Sequence, residues 1–411
     1  MDYESAREYI KNLTGRGICP GLDTVRALLN SLENPHENLN IIHIAGTNGK
    51  GSVGAYLSGI LQSTGHTVMR FVTPPTGGYL DTFLYNGVPV SETDFTECVA
   101  ILKKAMAELE KGGVFPTSFE AETAIAFLLS QRLCPDYVLL ECGMGGKGDA
   151  TNVISPPRLC VITKISLDHT AFLGNTIAQI AGEKAGIIKS GTKVVTTNQH
   201  PDADAVIKSV CKEKGTELFI ANPPTDILYN SSYTEFTIGD DRYRTQLLGT
   251  YQPENAALAI EAAKVLGIEQ TAIASGIINT KWQYRFERVK SFILDGAHNP
   301  DGVRVLVASL EKYFKKGDDV AFVCACFKDK DYMETARLTA DFPSAVYCVK
   351  APTERGLDAK TLSDAFKTFG AHSYEKDTLK DAILSASAHK NAVVFGTLSI
   401  LAEAKQIIEG I

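Results

Sequence analysis

Ile41-Ile42-His43-Ile44-Ala45-Gly46-Thr47-Asn48-Gly49-Lys50-Gly51-Ser52 reads as an apolar strand, a glycine-rich turn and the start of a helix in which Val53, Leu57, Ile60 and Leu61 recur at helical spacing. Glycines at 46, 49 and 51 allow backbone N–H groups to converge on an anion. The helix N-terminus adds partial positive charge, and Lys50 adds a full one. A nucleoside triphosphate fits this pattern, with Gly46, Thr47, Asn48, Gly49, Lys50, Gly51 and Ser52 as its expected contacts. The loop is a variant: the usual spacing puts glycine where Ile44 stands and a hydroxyl where Gly51 stands.

Outward from this loop, apolar runs alternate with helical patterns, the signature of a mostly parallel α/β sheet covered on both faces. Strands are expected at Asn40 to Ala45, His66 to Val72, Tyr137 to Cys142, Leu159 to Ile165 and Lys193 to Thr197. From Asp226 to Leu248 aromatic residues sit among polar and turn residues, which predicts a small antiparallel insert. Helices over Asn255 to Leu266 and Gln270 to Asn279 follow. A second series then begins, with strands at Ser291 to Leu294, Asp319 to Cys326, Ala345 to Val349 and Asn391 to Phe395. The expected division is a nucleotide-binding domain over 1–289 and a Rossmann-like α/β domain over 290–411, with a hinge near Lys290.

The chain has 411 residues, enough for two or three folded units without disulfide or metal staples. With 44% hydrophobic, 22% charged and 8% aromatic residues, its composition is that of a globular protein. The net charge of −7 disfavours a phosphate-backbone footprint spread over the surface, so nucleic acid is not an expected partner. The longest apolar stretches, such as Ala124 to Leu129, fall short of a membrane span, and the N-terminus is acidic rather than signal-like. A cytoplasmic monomer acting on small molecules is expected. The nine cysteines form no Cys-x-x-Cys pair, so they read mostly as small buried hydrophobes; Cys324 and Cys326 share one face of a strand.

Two further residues suit a divalent cation beside a triphosphate. Glu141 ends the apolar strand Tyr137-Val138-Leu139-Leu140, the place where phosphate-loop enzymes commonly hold magnesium. His169 follows the next strand and is a candidate for the same ion.

Together these residues resemble the folylpolyglutamate synthase and dihydrofolate synthase family of the Mur ligase superfamily. The resemblance runs through nearly the whole chain in family order: Gly15 to Leu22, Gly46 to Ser52, Ser118-Phe119-Glu120, Glu141 to Asn152, and Asp168-His169-Thr170 with Leu173 to Ile177. It continues through Glu183 to Lys189, Gly249 to Asn255, Arg285-Phe286-Glu287 and Asp295-Gly296-Ala297-His298-Asn299-Pro300. It implies ATP-dependent, ADP-forming ligation of L-glutamate to a folate carboxylate through an acyl phosphate, and leaves open whether dihydrofolate synthesis is also catalysed. By the resemblance, Lys50 and the loop amides bind phosphates, and Thr73, Glu141 and His169 hold magnesium, with two ions expected. Lys184 corresponds to the family lysine that is carbamylated to serve a second metal. Asn255, Arg285 and Asp295 match nucleotide-contacting positions, Arg285 also facing transferred phosphoryl charge, and His298 matches the region receiving the amino acid. The second domain is expected to close over ATP on the first.

The chain departs from the family on the acceptor side. Thr73-Pro74-Pro75-Thr76 replaces Ser-Pro-His-Leu, Lys147-Gly148 replaces Arg-Leu, and Gly396-Thr397-Leu398-Ser399 replaces Gly-Ser-Leu-Tyr. Thr73 keeps a hydroxyl suited to a metal. The alternative reading is the same chemistry on a non-folate carboxylate; a nucleotide-binding subunit without catalysis is a third, disfavoured because a scaffold has no need of this residue set.

Overall fold

The computed structural model describes residues 1–17, 21–315 and 317–411, so Ile18, Cys19 and Pro20 of the Gly15-to-Leu22 stretch lie outside the described residues. Contacts divide the chain into two compact units. The first comprises Met1–Pro75, Tyr79–Pro223 and Glu254–Asn279, and the second Thr76–Gly78, Pro224–Pro253 and Thr280–Ile411.

The first unit carries eight strands: β1 (Ile41–Ala45), β2 (Val68–Phe71), β3 (Phe83–Tyr85), β4 (Val88–Pro89), β5 (Tyr137–Glu141), β6 (Leu159–Ile162), β7 (Lys193–Thr196) and β8 (Leu218–Ile220). Their order is β4-β3-β2-β5-β1-β6-β7-β8, with β2–β3 and β3–β4 antiparallel at one edge and the other neighbouring pairs parallel. All five residues of β1 are buried, as expected for a central strand with both faces covered. Side chains alternate across the sheet. Met69, Phe71, Val138 and Leu140 enter the core beneath the helix Ser118–Leu133, so Arg70, Leu139 and Glu141 point to the opposite face. That helix starts in a capping box, Thr117 and Glu120 satisfying each other's backbone N–H groups. The helix Lys50–Ser63 packs against Gln270–Asn279, and their backbones approach so closely that a Cβ on Gly276 would lie 2.3 Å from Ile60 Cα.

The second unit holds the predicted insert as a three-stranded antiparallel sheet, β9 (Thr225–Tyr229), β10 (Thr234–Ile238) and β11 (Asp241–Thr245). It also holds β12 (Glu287–Val289), β13 (Phe292–Leu294), β14 (Val320–Cys324), β15 (Ala345–Cys348), β16 (Ser373–Glu375) and β17 (Asn391–Phe395), in the order β12-β13-β17-β14-β15-β16. Along β17, Val393 and Phe395 join one core and Ala392 and Val394 the other, so both faces are covered. Cys324 and Cys326 are buried in one of these cores, as their spacing predicts.

The contact division differs from a single boundary at 289/290. β12 and β13 form an antiparallel hairpin in which Val289 faces Phe292, and Lys290 sits in its turn with φ +53°. A cut there would sever the hairpin, and the expected hinge residue is the tip of a two-stranded ribbon. The strands β3, β4, β8, β12 and β16, each of two or three residues, were too short to show in the sequence pattern. Among the described cysteines seven are buried and Cys134 is exposed; Cys19 lies outside the described residues. Among the described residues, no helix is long and apolar enough to cross a membrane.

Candidate active site

In the first sheet the chain leaves β1, passes over β5 to β2, and later returns to β6 on the other side of β1. Strand order therefore reverses at β1, and its carboxyl end is where open α/β sheets bind ligands. The loop Gly46–Gly49 opens there. Glycine is required at 46, where φ is +155° and a Cβ would lie 1.8 Å from Thr163 Oγ1. It is required at 49 too, where φ is +93° and a Cβ would meet Asn255 Oδ1 at 2.5 Å. Asn255 thus lies against the loop. The loop is held to the segment after β6: the Thr47 and Asn48 amides donate to the Lys164 carbonyl at 2.9 and 3.3 Å, and Thr163 Oγ1 donates to the Asn48 carbonyl at 2.7 Å.

Two lysine side-chain nitrogens converge on one carbonyl of this loop. Lys50 Nζ donates to Gly46 O at 3.1 Å and to Thr47 O at 3.3 Å. Lys184 Nζ, from the helix Ile177–Ala185, donates to Gly46 O at 2.8 Å. Lys184 is only 4% exposed, which sets it apart from a surface lysine. Burial, reinforced by the charge of Lys50, pushes its pKa down to about 7.

Glu141 ends β5 opposite Ile44 of β1 and is buried. Thr73 follows β2, and His169 caps the short helix Thr170–Leu173 with φ +49° and its side chain 41% exposed. Magnesium takes one or two carboxylates together with waters and substrate phosphates. A buried carboxylate at the end of a strand beside the phosphate loop, with a hydroxyl one strand over, is a donor set of that kind. Among the described residues no group of three or more His, Cys, Asp or Glu side chains gathers to hold an ion by itself.

Sequence reasoning passed over three features of this unit. Arg70 on β2 is 3% exposed, and its Nη2 donates to the Gly51 carbonyl at 2.9 Å, in the first turn of the phosphate-loop helix. Burial lowers its pKa to about 10, while the Glu141 carboxylate favours the charged form. Behind β1, His43 Nε2 lies 2.9 Å from Thr151 Oγ1 and 3.1 Å from Cys142 Sγ. Burial pushes His43 down to about 3, so the ring is neutral. Asp149 accepts the amides of Thr151 and Met144, which ties the loop after Glu141 to this network. Finally, Tyr79 Oη donates to Glu122 Oε1 at 2.9 Å, and burial raises the Glu122 carboxyl to about 7. The signals were an Arg within Val68-Met69-Arg70-Phe71, a His within an apolar strand, and a Glu within an apolar helix face.

In the second unit Asp295 follows β13 and accepts three hydrogen bonds, from Tyr251 Oη at 2.7 Å, the Phe286 amide at 2.8 Å and the Ala297 amide at 2.8 Å. Arg285 crowds Gly296, where a Cβ would lie 2.2 Å from its Nη1, and the His298 ring lies 2.8 Å from the Gly296 carbonyl. Arg285, Asp295 and His298 are thus assembled around Gly296. Gly46 to Ser52, Asn255 and Lys184 gather in the first unit, with Glu141 ending the strand beside the loop.

A glycine-rich loop at a sheet's switch point beside a buried strand-end acid is the arrangement of a nucleotide-binding enzyme. The Mur ligase middle domain matches residues 44–263, and the Mur ligase glutamate ligase domain matches residues 284–397. The chain is 36% identical to the dihydrofolate synthase/folylpolyglutamate synthase of Bacillus subtilis over 386 residues, 88% of each protein. It is 32% identical to the folylpolyglutamate synthase of Lacticaseibacillus casei, over 87% of each. It superimposes on the Mycobacterium tuberculosis folylpolyglutamate synthase complexed with ADP with a TM-score of 0.92, 25% identity and 99% coverage of both chains. On Escherichia coli FolC in complex with DHPP and ADP the TM-score is 0.87, with 27% identity and coverage of 100% and 98%. The chain belongs to the Mur ligase family, in its folylpolyglutamate synthase and dihydrofolate synthase branch.

Proposed function

We propose that this chain is an ATP-dependent, ADP-forming ligase that joins L-glutamate to a folate carboxylate. The observation that carries this reading is the convergence of Lys50 and Lys184 on the Gly46 carbonyl, beside the buried Glu141, in a chain of this family. The Lys50 ammonium held against loop carbonyls is favourable when a polyphosphate brings negative charge to it, and Lys184 sets a buried amine beside the same loop.

The reaction balances in two steps. An oxygen of the acceptor carboxylate attacks the γ-phosphorus of ATP as the bond to the β-phosphate oxygen breaks, giving an acyl phosphate and ADP. The glutamate amine then attacks the acyl carbon, phosphate leaves with the C–O bonding pair, and the amine gives up a proton. Lys50 and the loop amides bind and orient the β- and γ-phosphates and neutralise charge at the transferred group. Asn255, Arg285 and Asp295 are assigned to nucleotide contacts, Arg285 also to phosphoryl charge, and His298 to the incoming amino acid. Glu141, Thr73 and His169 are assigned to magnesium, which when bound supplies further neutralisation of phosphate charge.

Lys184 is assigned to carbamylation. With a pKa near 7, much of it is the free amine at neutral pH, so its nitrogen can attack carbon dioxide, lose a proton and present a carboxylate. Labelled bicarbonate giving a carbamate carbon resonance that vanishes in Lys184→Met tests this; no such resonance in the native protein overturns it.

The activity is tested by mass spectrometry of acceptors incubated with ATP, magnesium and glutamate. Tetrahydrofolate and dihydropteroate should gain one glutamate residue, with ADP formed only when acceptor and glutamate are both present. Glutamate gain confined to non-folate carboxylates would move the assignment to a different acceptor, and no gain on any carboxylate would remove the ligase reading.

A further inference from the structure

Arg70 has an unusual position for a guanidinium. It stands in the second strand of a mostly parallel sheet, between Met69 and Phe71, which both enter the apolar core, and is itself 3% exposed. Isolated charges are rarely buried so deeply, because desolvation outweighs any packing gain unless the group is paired and hydrogen-bonded. The register with β5 pairs Arg70 with Leu139, and alternation puts Glu141 on the same face two residues further along. That face lies beneath the helix Lys50–Ser63. The guanidinium reaches its first turn, donating to the Gly51 carbonyl at 2.9 Å, and a Cβ on Gly54 one turn later would lie 3.0 Å from the same nitrogen. The glycines at 51 and 54 therefore serve different ends: Gly51 belongs to the phosphate loop, and Gly54 clears space for Arg70.

We propose that Arg70 is a positioning residue of the ligation reaction, a buried fork that ties the phosphate-loop helix to the strand-end acid Glu141 and holds the two in register for a metal-bound nucleotide. The inference rests on the function proposed above. Of its five coplanar N–H donors one reaches the Gly51 carbonyl, and the fork lies on the face of the sheet that Glu141 shares. A lysine ammonium on a flexible stem offers a point charge instead. The role proposed for Arg70 is exerted through Gly51 and Glu141.

Binding calorimetry of the full chain with the non-hydrolysable analogue AMPPCP, with and without magnesium, tests the proposal without turnover. Arg70→Lys should weaken binding of the magnesium-loaded analogue by about 5- to 10-fold, and Arg70→Met by roughly 30-fold or more, with a smaller change when magnesium is omitted. In an E141Q background the magnesium-dependent part of the Arg70 effect should largely disappear, because one residue acts through the other. If Arg70→Met fails to fold, Arg70→Lys decides alone. Magnesium–AMPPCP affinity within about twofold of native in Arg70→Lys overturns the proposal, since one point charge would then suffice. So does a loss that is equal with and without magnesium. Failure of the glutamate-ligation assay with intact magnesium–AMPPCP binding would strike the reaction assignment and leave the Arg70 result readable.

Discussion

Lys184 Nζ lies 2.8 Å from the carbonyl oxygen of Gly46, although the two residues are 138 positions apart in the chain. The helix Ile177–Ala185 delivers its last-turn lysine to the first glycine of the phosphate loop, so the loop receives a buried amine that its own sequence does not contain.

That placement predicts a pH signature. Folded Lys184 loses its proton near pH 7, whereas an unfolded lysine keeps it until about 10.4. Between these values the unfolded chain binds more protons, so this residue makes stability rise with pH across the window and leaves its full penalty below pH 7. In buffers purged of carbon dioxide, which keep Lys184 uncarbamylated, Lys184→Met should therefore gain most over native at pH 6 and progressively less toward pH 10 in urea denaturation. Parallel curves for the two proteins would refute it.

Glu122 predicts the opposite slope. Its folded carboxyl titrates near 7 against about 4.3 when unfolded, so the native state holds the extra proton in between and stability falls as pH rises through that window. Glu122→Gln keeps an oxygen for the Tyr79 hydroxyl and removes the ionisation. Its unfolding free energy relative to native should grow from pH 5 to pH 8 and then level off; a constant difference would contradict this.

Lys50→Ala should leave the melting temperature nearly unchanged, since the ammonium donates to carbonyls of the adjoining loop, while turnover falls on the order of 10²-fold, about 3 kcal/mol of transition-state stabilisation. ADP release with acceptor and glutamate at saturation reads this out. Wild-type turnover in the variant would displace Lys50 from its role.

Gly276→Ala should destabilise the first unit by about 1–3 kcal/mol through overpacking, because the added methyl would fall 2.3 Å from Ile60 Cα. A shifted urea midpoint with unchanged slope is expected. An unshifted midpoint would mean the two helices separate at negligible cost.

Much of the fold was legible. β1, β2, β5, β6, β7, β13, β14, β15 and β17 all fall within predicted apolar runs, because buried parallel strands are continuous blocks of branched and aromatic side chains. The ends were set by contacts instead: the run from Leu159 stops at Ile162 because Thr163 turns to serve the phosphate loop. The hairpin β12–β13 was missed because Glu287-Arg288-Val289 carries no apolar run to mark β12. Arg70 and His43 were overlooked because a polar residue in a strand shows no local sign of what lies across from it.

From the chain alone one could read a glycine-rich turn with its lysine, an acid closing an apolar strand, and the order of elements that marks this family, since each is written in consecutive residues whose backbone and side-chain chemistry act locally. Only the folded arrangement decided that Lys184 would be buried against Gly46, that Arg70 would reach beneath the first helical turn, and that Arg285, Asp295 and His298 would gather at Gly296. Those outcomes depend on strand order and register, which are fixed by packing between distant segments rather than by any one of them.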